Sequence, residues 1–182
     1  MKIRIVLIFA SLAFFSCKPN PYKEEVKELD QLISEVEKSS TKLVKIDTTG
    51  LAQKWKEYKE NVNTITGVYK EEKDTIGKEL AMILSDYRQL KKPYSEYKNA
   101  YSSTMEELKF TKKQLVTLKH DLENNILEQP VAAKMMQSEK MAARKIIEQV
   151  EQLARTDSVT EVKAAKINTT IDSVITSLSN TQ

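Results

Sequence analysis

Apolar residues recur along this chain at alternating steps of four and three. Tyr22, Val26, Leu29, Ile33, Val36, Ser40 and Leu43 form the first row, with Ser40 as its polar intrusion. That spacing puts the row on one helical face, and a sustained heptad predicts a seam between long helices. Glu24, Glu25 and Glu28 suit the positive end of a helix dipole. The helix is expected to end near Lys45, and the Asp-Thr-Thr-Gly run at 47–50 predicts a turn between antiparallel neighbours.

A second row runs Leu51, Trp55, Tyr58, Val62, Ile65, Tyr69, Glu72 and Ile76, with Gly67 and Gly77 as weak points. The step from Ile76 to Leu80 is four where three was due, a stutter that relaxes supercoiling. The third row passes Leu80, Ile83, Tyr87, Leu90, Tyr94, Tyr97, Tyr101, Thr104, Leu108, Thr111, Leu115, Leu118 and Leu122. It crosses Pro93 without losing phase. Either Pro93 opens a new helix that turns back, or it kinks a single helix. The absence of Gly or Asn before it favours the kink. Asn124-Asn125 and Gln129-Pro130 mark a clearer break. The last row runs from Ala132 through Met136, Glu139, Ala143, Ile146 and Val150 to Leu178, and Ser158 with Glu161 resembles a capping box that predicts a break near Thr156.

The expected fold class is all-α: an elongated antiparallel helical bundle or coiled coil of three to four long helices over 22–178, with 179–182 fraying. Composition agrees. Three glycines and four prolines leave few helix breakers in 182 residues. Charged residues make up 30% but are interspersed with a periodic apolar face, which argues against disorder.

Ahead of this body, Lys2 and Arg4 precede the apolar run 5–15, and Ser16-Cys17 is followed at once by Lys18-Pro19-Asn20-Pro21. The run has the length of a signal-peptide core and is too short to span a membrane, which takes about 20 apolar residues. Cys17 is the only cysteine, so no internal disulfide can form. Of the 29 basic residues two are Lys2 and Arg4, and the remaining 27 nearly balance the 26 acidic ones. Nucleic acid is therefore not an expected partner.

A small residue and then Cys at the end of such a run resembles a bacterial lipobox, of the loose kind tolerated in lipoproteins of Bacteroidota. Phe14 and Phe15 depart from the usual residues of that box. The resemblance covers about the first 17 residues and implies a signal peptide at 1–16. It also implies a diacylglycerol thioether on Cys17 and an acylated tether at 17–21. Several acyl chains give durable anchoring, at about 0.8 kcal/mol per buried methylene. With Lys rather than Asp at position 18, the lipoprotein sorting rule implies the outer membrane, and the lack of acidic residues just after Cys17 favours a body facing the periplasm.

The pattern Asp, hydroxyl residue, then aliphatic residue or Thr recurs at 47–49, 74–76, 157–159 and 172–174. It resembles the O-glycosylation sequon of exported Bacteroidota proteins, which would put glycans on Thr48, Thr75, Ser158 and Ser173. Helix capping by Asp explains 47–49 and 157–159 equally well.

Candidates for chemistry are few. His120 is the only histidine and falls off its seam, so a solvated surface position is expected. The cluster Met135, Met136 and Met141 reads as filler where the chain reverses. The clusters Arg88, Lys91, Lys92 and Lys109, Lys112, Lys113 suit lipid headgroups or lipopolysaccharide phosphates, but glutamates flank both regions and they read first as solvated faces. Trp55, Tyr87, Tyr94, Tyr97 and Tyr101 read first as seam residues whose hydroxyls reach the bundle edge. Where the stripe is uncovered it is the best partner surface. The functional expectation is a non-enzymatic envelope lipoprotein with a structural, scaffold or adaptor role and no cofactor. It would be joined to the membrane through Cys17 and to an envelope protein or a second copy through its helical face. The alternative is a periplasmic lipoprotein that binds a ligand along its tyrosine-rich face.

Overall fold

The computed structural model describes residues 20–71, with side chains to 68, and residues 77–180. Residues 1–19, with the expected signal peptide and Cys17, lie outside the described residues, as do Glu72, Thr75, Ile76, residues 181–182 and the side chain of Tyr69. All regular structure among the described residues is helical: α1 (Lys23–Val44), α2 (Thr48–Glu71), α3 (Lys78–Arg88), α4 (Lys91–Glu123) and α5 (Gln129–Ser179). The expected all-α bundle is what forms, with the helices packed on one another.

The heptad rows are its core. Leu29, Val36, Leu43, Ile65, Leu108, Leu115, Leu118, Leu122, Ile146, Val150 and Ile171 are almost fully buried. The polar intrusion in the first row is Ser39 rather than Ser40, because the buried steps run Val36, Ser39, Leu43. Thr104, also buried, accepts a hydrogen bond from Gln149 Nε2 at 2.9 Å, which ties α4 to α5 at one register.

Cross-rod contacts fix the topology. Asp30 meets Lys119, Glu37 meets Lys112, and Asn61 meets the Tyr87 hydroxyl, so α1 and α2 together run antiparallel to α4 and α3. Glu28 meets Lys140, Lys42 meets Glu151 and Lys54 meets Glu161, so α1 and α2 together run parallel to α5. Exposed pairs of this kind add little stability; here they report register. The turn at 45–47 therefore does not reverse the chain, contrary to the expectation from its Asp-Thr-Thr-Gly sequence. Lys45 keeps a right-handed helical conformation, Ile46 N–H bonds Leu43 C=O, and Asp47 caps α2 by accepting from Gly50 N–H at 2.8 Å. The two helices continue one another as a single bent rod.

The Pro93 region behaves the same way. Gln89 and Leu90 stay right-handed, and their N–H groups bond three residues back, to Asp86 and Tyr87. Pro93 falls in the first turn of α4, where a missing N–H does least harm. Tyr87, Leu90, Tyr94 and Tyr97 all stay buried across the junction, as a kink with retained phase requires.

The true reversal is at 124–128. Asn125 takes a left-handed φ of 52°. Ile126 N–H bonds Asp121 C=O and Asn125 N–H bonds Leu122 C=O, the Schellman arrangement that ends a helix. Pro130 then sits in the first turn of α5. That helix runs 51 residues without the break expected near Thr156, or about 77 Å at 1.5 Å per residue. Ser158 and Glu161 cap nothing, because the neighbouring rods supply a continuous seam through Thr160 and Ala164.

Candidate functional site

The aromatic residues gather where α2 meets the α3–α4 junction. Trp55 and Tyr58 come from α2, Tyr87 from α3, and Tyr94, Tyr97 and Tyr101 from α4. Their heptad spacing turns each ring toward the same seam. Tyr58 is the hub: its ring centroid lies 5.5 Å from Trp55, 4.9 Å from Tyr87 and 6.4 Å from Tyr94. Tyr97 and Tyr101 stack at 6.3 Å. Tyr58 is absent from the partner surface expected from the sequence, although its place one turn after Trp55 is a signal for it.

Tyr58, Tyr87, Tyr94 and Tyr97 are buried, and only Trp55 and Tyr101 are partly open. A partner surface made of Tyr87, Tyr94 and Tyr97 is therefore corrected. Three rods close over that stretch, and of these six rings only Trp55 and Tyr101 keep accessible surface. The expectation that the hydroxyls reach the bundle edge also fails at two places. Tyr87 accepts from Asn61 Nδ2 at 3.1 Å, but the hydroxyls of Tyr94 and Tyr97 are buried with no hydrogen-bond partner.

Burial dominates the electrostatics here. It pushes the Tyr94 phenol up to about 12, with Glu161, Tyr87 and Glu57 adding to the effect. Tyr97 is raised further, by burial first and then by Asp157 and Tyr101. The half-buried Asp157 carboxyl is itself raised, by burial and then by Glu161. Phenols held neutral in this way serve neither as bases nor as nucleophiles at ordinary pH.

The depressions along the described surface are open grooves. One lies between the α3–α4 junction and α5 at Ile83, Leu90 and Ile167, and another surrounds Trp55. Tyrosine rings fill the seam between the rods. Among the described residues no cluster of His, Cys, Asp or Glu is placed to hold a metal ion. His120 is exposed on α4 beside Asn124. No helix among the described residues is long and apolar enough to cross a membrane.

The sequon-like hydroxyls have different settings. Thr48 is half-buried in the first turn of α2, directly after its capping residue Asp47. Ser158 is exposed in the middle of α5, where Asp157 caps nothing. Ser173 is exposed, and its hydroxyl donates to the Thr169 carbonyl at 2.9 Å.

Compared with known protein families, with curated proteins and with solved structures, the chain finds no match.

Proposed function

We propose that this chain is a lipid-anchored envelope protein whose helical body acts as a spacer or adaptor, without catalysis of its own. The supporting observation is how the N-terminal side of the body is held. Asn20 Nδ2 donates to Leu122 C=O at 3.1 Å, and the Tyr22 hydroxyl donates to Leu127 C=O at 2.7 Å. Both contacts fasten the start of the body to the α4–α5 reversal, at one pole of the rod. Cys17 lies three residues before Asn20, within about 10 Å of chain reach. An acylated Cys17 would hold that pole at the bilayer. The end of α2, the start of α3 and the end of α5 would then project away as a distal surface for an envelope partner or a second copy.

Under this reading Lys18 fits outer-membrane sorting, and the non-acidic Pro19 and Asn20 fit a body in the periplasm. Ser158 and Ser173 would carry sugars on the outside of α5. The reading as a ligand binder narrows to Trp55, because rings already occupy the space among Tyr87, Tyr94 and Tyr97.

The intact mass of the protein extracted from membranes tests the anchor. Residues 17–182 plus acyl groups is the expected species, and Cys17→Ala should move the protein out of the membrane fraction. A bare full-length chain in the soluble fraction would overturn the reading.

A further inference from the structure

Cations from two rods converge on the single tryptophan. Trp55, Lys59 and Asn63 of α2 line an open groove whose far side is Arg88, the last residue of α3, and Lys91, the first of α4. These residues are about thirty positions apart in the chain and meet only because α2 packs against the α3–α4 junction. Nearby lysines have carboxylates at hand: Lys54 pairs closely with Glu161, and Lys56 and Lys92 lie 3.8 Å and 4.0 Å from Glu60 and Glu96. Lys59, Arg88 and Lys91 have no carboxylate partner among the described residues. Asp86 faces the groove on the α5 side instead.

The aromatic floor is stiff, because Tyr58 stacks on Trp55 at 5.5 Å with rings only 15° apart. The Lys59 ammonium lies 5.3 Å from the Trp55 ring centroid. A solvated cation–π contact is weak, so an arriving anion can draw Lys59 off the ring and uncover the indole. Charge-assisted hydrogen bonds from the Arg88 fork then compensate for that contact.

We propose that this groove binds an acidic carbohydrate, a sugar bearing a carboxylate or a phosphate. The anion lies between Arg88, Lys91 and Lys59, the apolar face of the ring packs on Trp55, and the Asn63 amide meets a hydroxyl. A free inorganic anion would leave the indole unused, and a neutral sugar would leave three cations unused. A nucleic acid would need a longer basic surface than this nearly neutral body presents. The inference is independent of lipidation at Cys17.

Because Trp55 is the only tryptophan, its fluorescence reads this groove directly. The full-length protein in detergent is titrated with trigalacturonate, glucose 6-phosphate, maltotriose and inorganic phosphate. A saturable change with one of the acidic sugars, weakened by salt, is expected. The double variant Arg88→Gln/Lys91→Gln, with unchanged helical circular dichroism, should bind at least about tenfold more weakly. A carboxylate source is indicated if trigalacturonate alone binds, and a phosphorylated one if glucose 6-phosphate alone does. No saturable change with either acidic sugar up to about 10 mM overturns the proposal. So does equal binding of maltotriose or of inorganic phosphate.

Discussion

The hydroxyl of Tyr22 donates to the carbonyl of Leu127 at 2.7 Å, across 105 positions of the chain. Tyr22 is 5% exposed, and its own N–H is held by Asn20 Oδ1 at 2.8 Å. One aromatic residue thus closes the start of α1 onto the α4–α5 reversal. Tyr22→Phe keeps the ring and removes the bond, which is worth about 1 kcal/mol. For a chain of this size the melting temperature should drop by about 2–4 °C. Tyr22→Ala also loses the packing and should cost about 3–5 kcal/mol. Hydrogen exchange at residues 20–26 should accelerate in both variants. An unchanged melting temperature in Tyr22→Phe would show that this closure adds no stability.

Tyr94 and Tyr97 present the opposite case, since their buried hydroxyls have no partner. An unsatisfied buried donor is a penalty, so Tyr94→Phe and Tyr97→Phe should each raise stability by about 1 kcal/mol or more. The pH dependence follows from the same burial. An unfolded tyrosine titrates near pH 10, while folded Tyr94 is pushed up to about 12 and Tyr97 higher. The folded state holds these protons more tightly, so unfolding releases protons once pH passes about 10. The contribution of each tyrosine is flat below about pH 10. Above it, stability falls by up to about 1.4 kcal/mol per pH unit until the folded group titrates. Urea denaturation at pH 8 and pH 11 should show a smaller loss in the double Phe variant than in the parent. Equal losses would mean that the phenols are hydrated in the folded protein.

Much of this architecture was legible in the periodicity. The step of four and three from Tyr22 to Leu178 picks out buried or half-buried positions nearly everywhere, because a long helix can hide only one face. What the pattern could not convey was the direction of the chain after each interruption. Asp47-Thr48-Thr49-Gly50 and Asn124-Asn125 both read as turns, yet only the second reverses. Asn125 enters the left-handed region and Gly50 does not, and local composition permits either. The half-buried Asp157 and the capping-box-like Ser158 and Glu161 misled for a related reason. A cap motif has force only where the seam stops, and α5 finds partners along its whole length. The groove at Trp55 was hidden because its charges come from separate helices. Glutamates flank Arg88 and Lys91 in the sequence; only packing shows that neither meets a carboxylate among the described residues.

Two glycines should respond differently to the same substitution. Gly67 lies inside α2, and a methyl group there meets nothing within 4 Å. Gly67→Ala should gain about 1 kcal/mol from helix propensity alone. At Gly50 the added Cβ would collide with the carboxylate of Asp47, which caps α2 through the Gly50 N–H. Displacing that cap costs about 1 kcal/mol and offsets the propensity gain. Gly50→Ala should therefore leave the melting temperature unchanged or lower it. A rise equal to that of Gly67→Ala would mean that the Asp47 cap contributes nothing.

The in-line passage from α1 to α2 makes the sharpest geometric prediction. Lys27 and Thr64 are both exposed, one on each helix. If the rods continue one another, labels at these positions stand about 50 Å apart, at 1.5 Å per residue with allowance for the bend. If the turn at 45–47 folded α2 back on α1, the same two positions would lie about 10 Å apart, the spacing of packed neighbouring helices. Spin labels on Lys27→Cys/Thr64→Cys, in a Cys17→Ala background, separate the two arrangements. A short distance would overturn the three-rod topology and remove the meeting of α2 with Arg88 and Lys91. A long one supports the register of Asp30 with Lys119 and Asn61 with Tyr87. The same labels at two protein concentrations report whether the rods pair: a new short distance appearing only at the higher concentration would come from a second copy lying alongside.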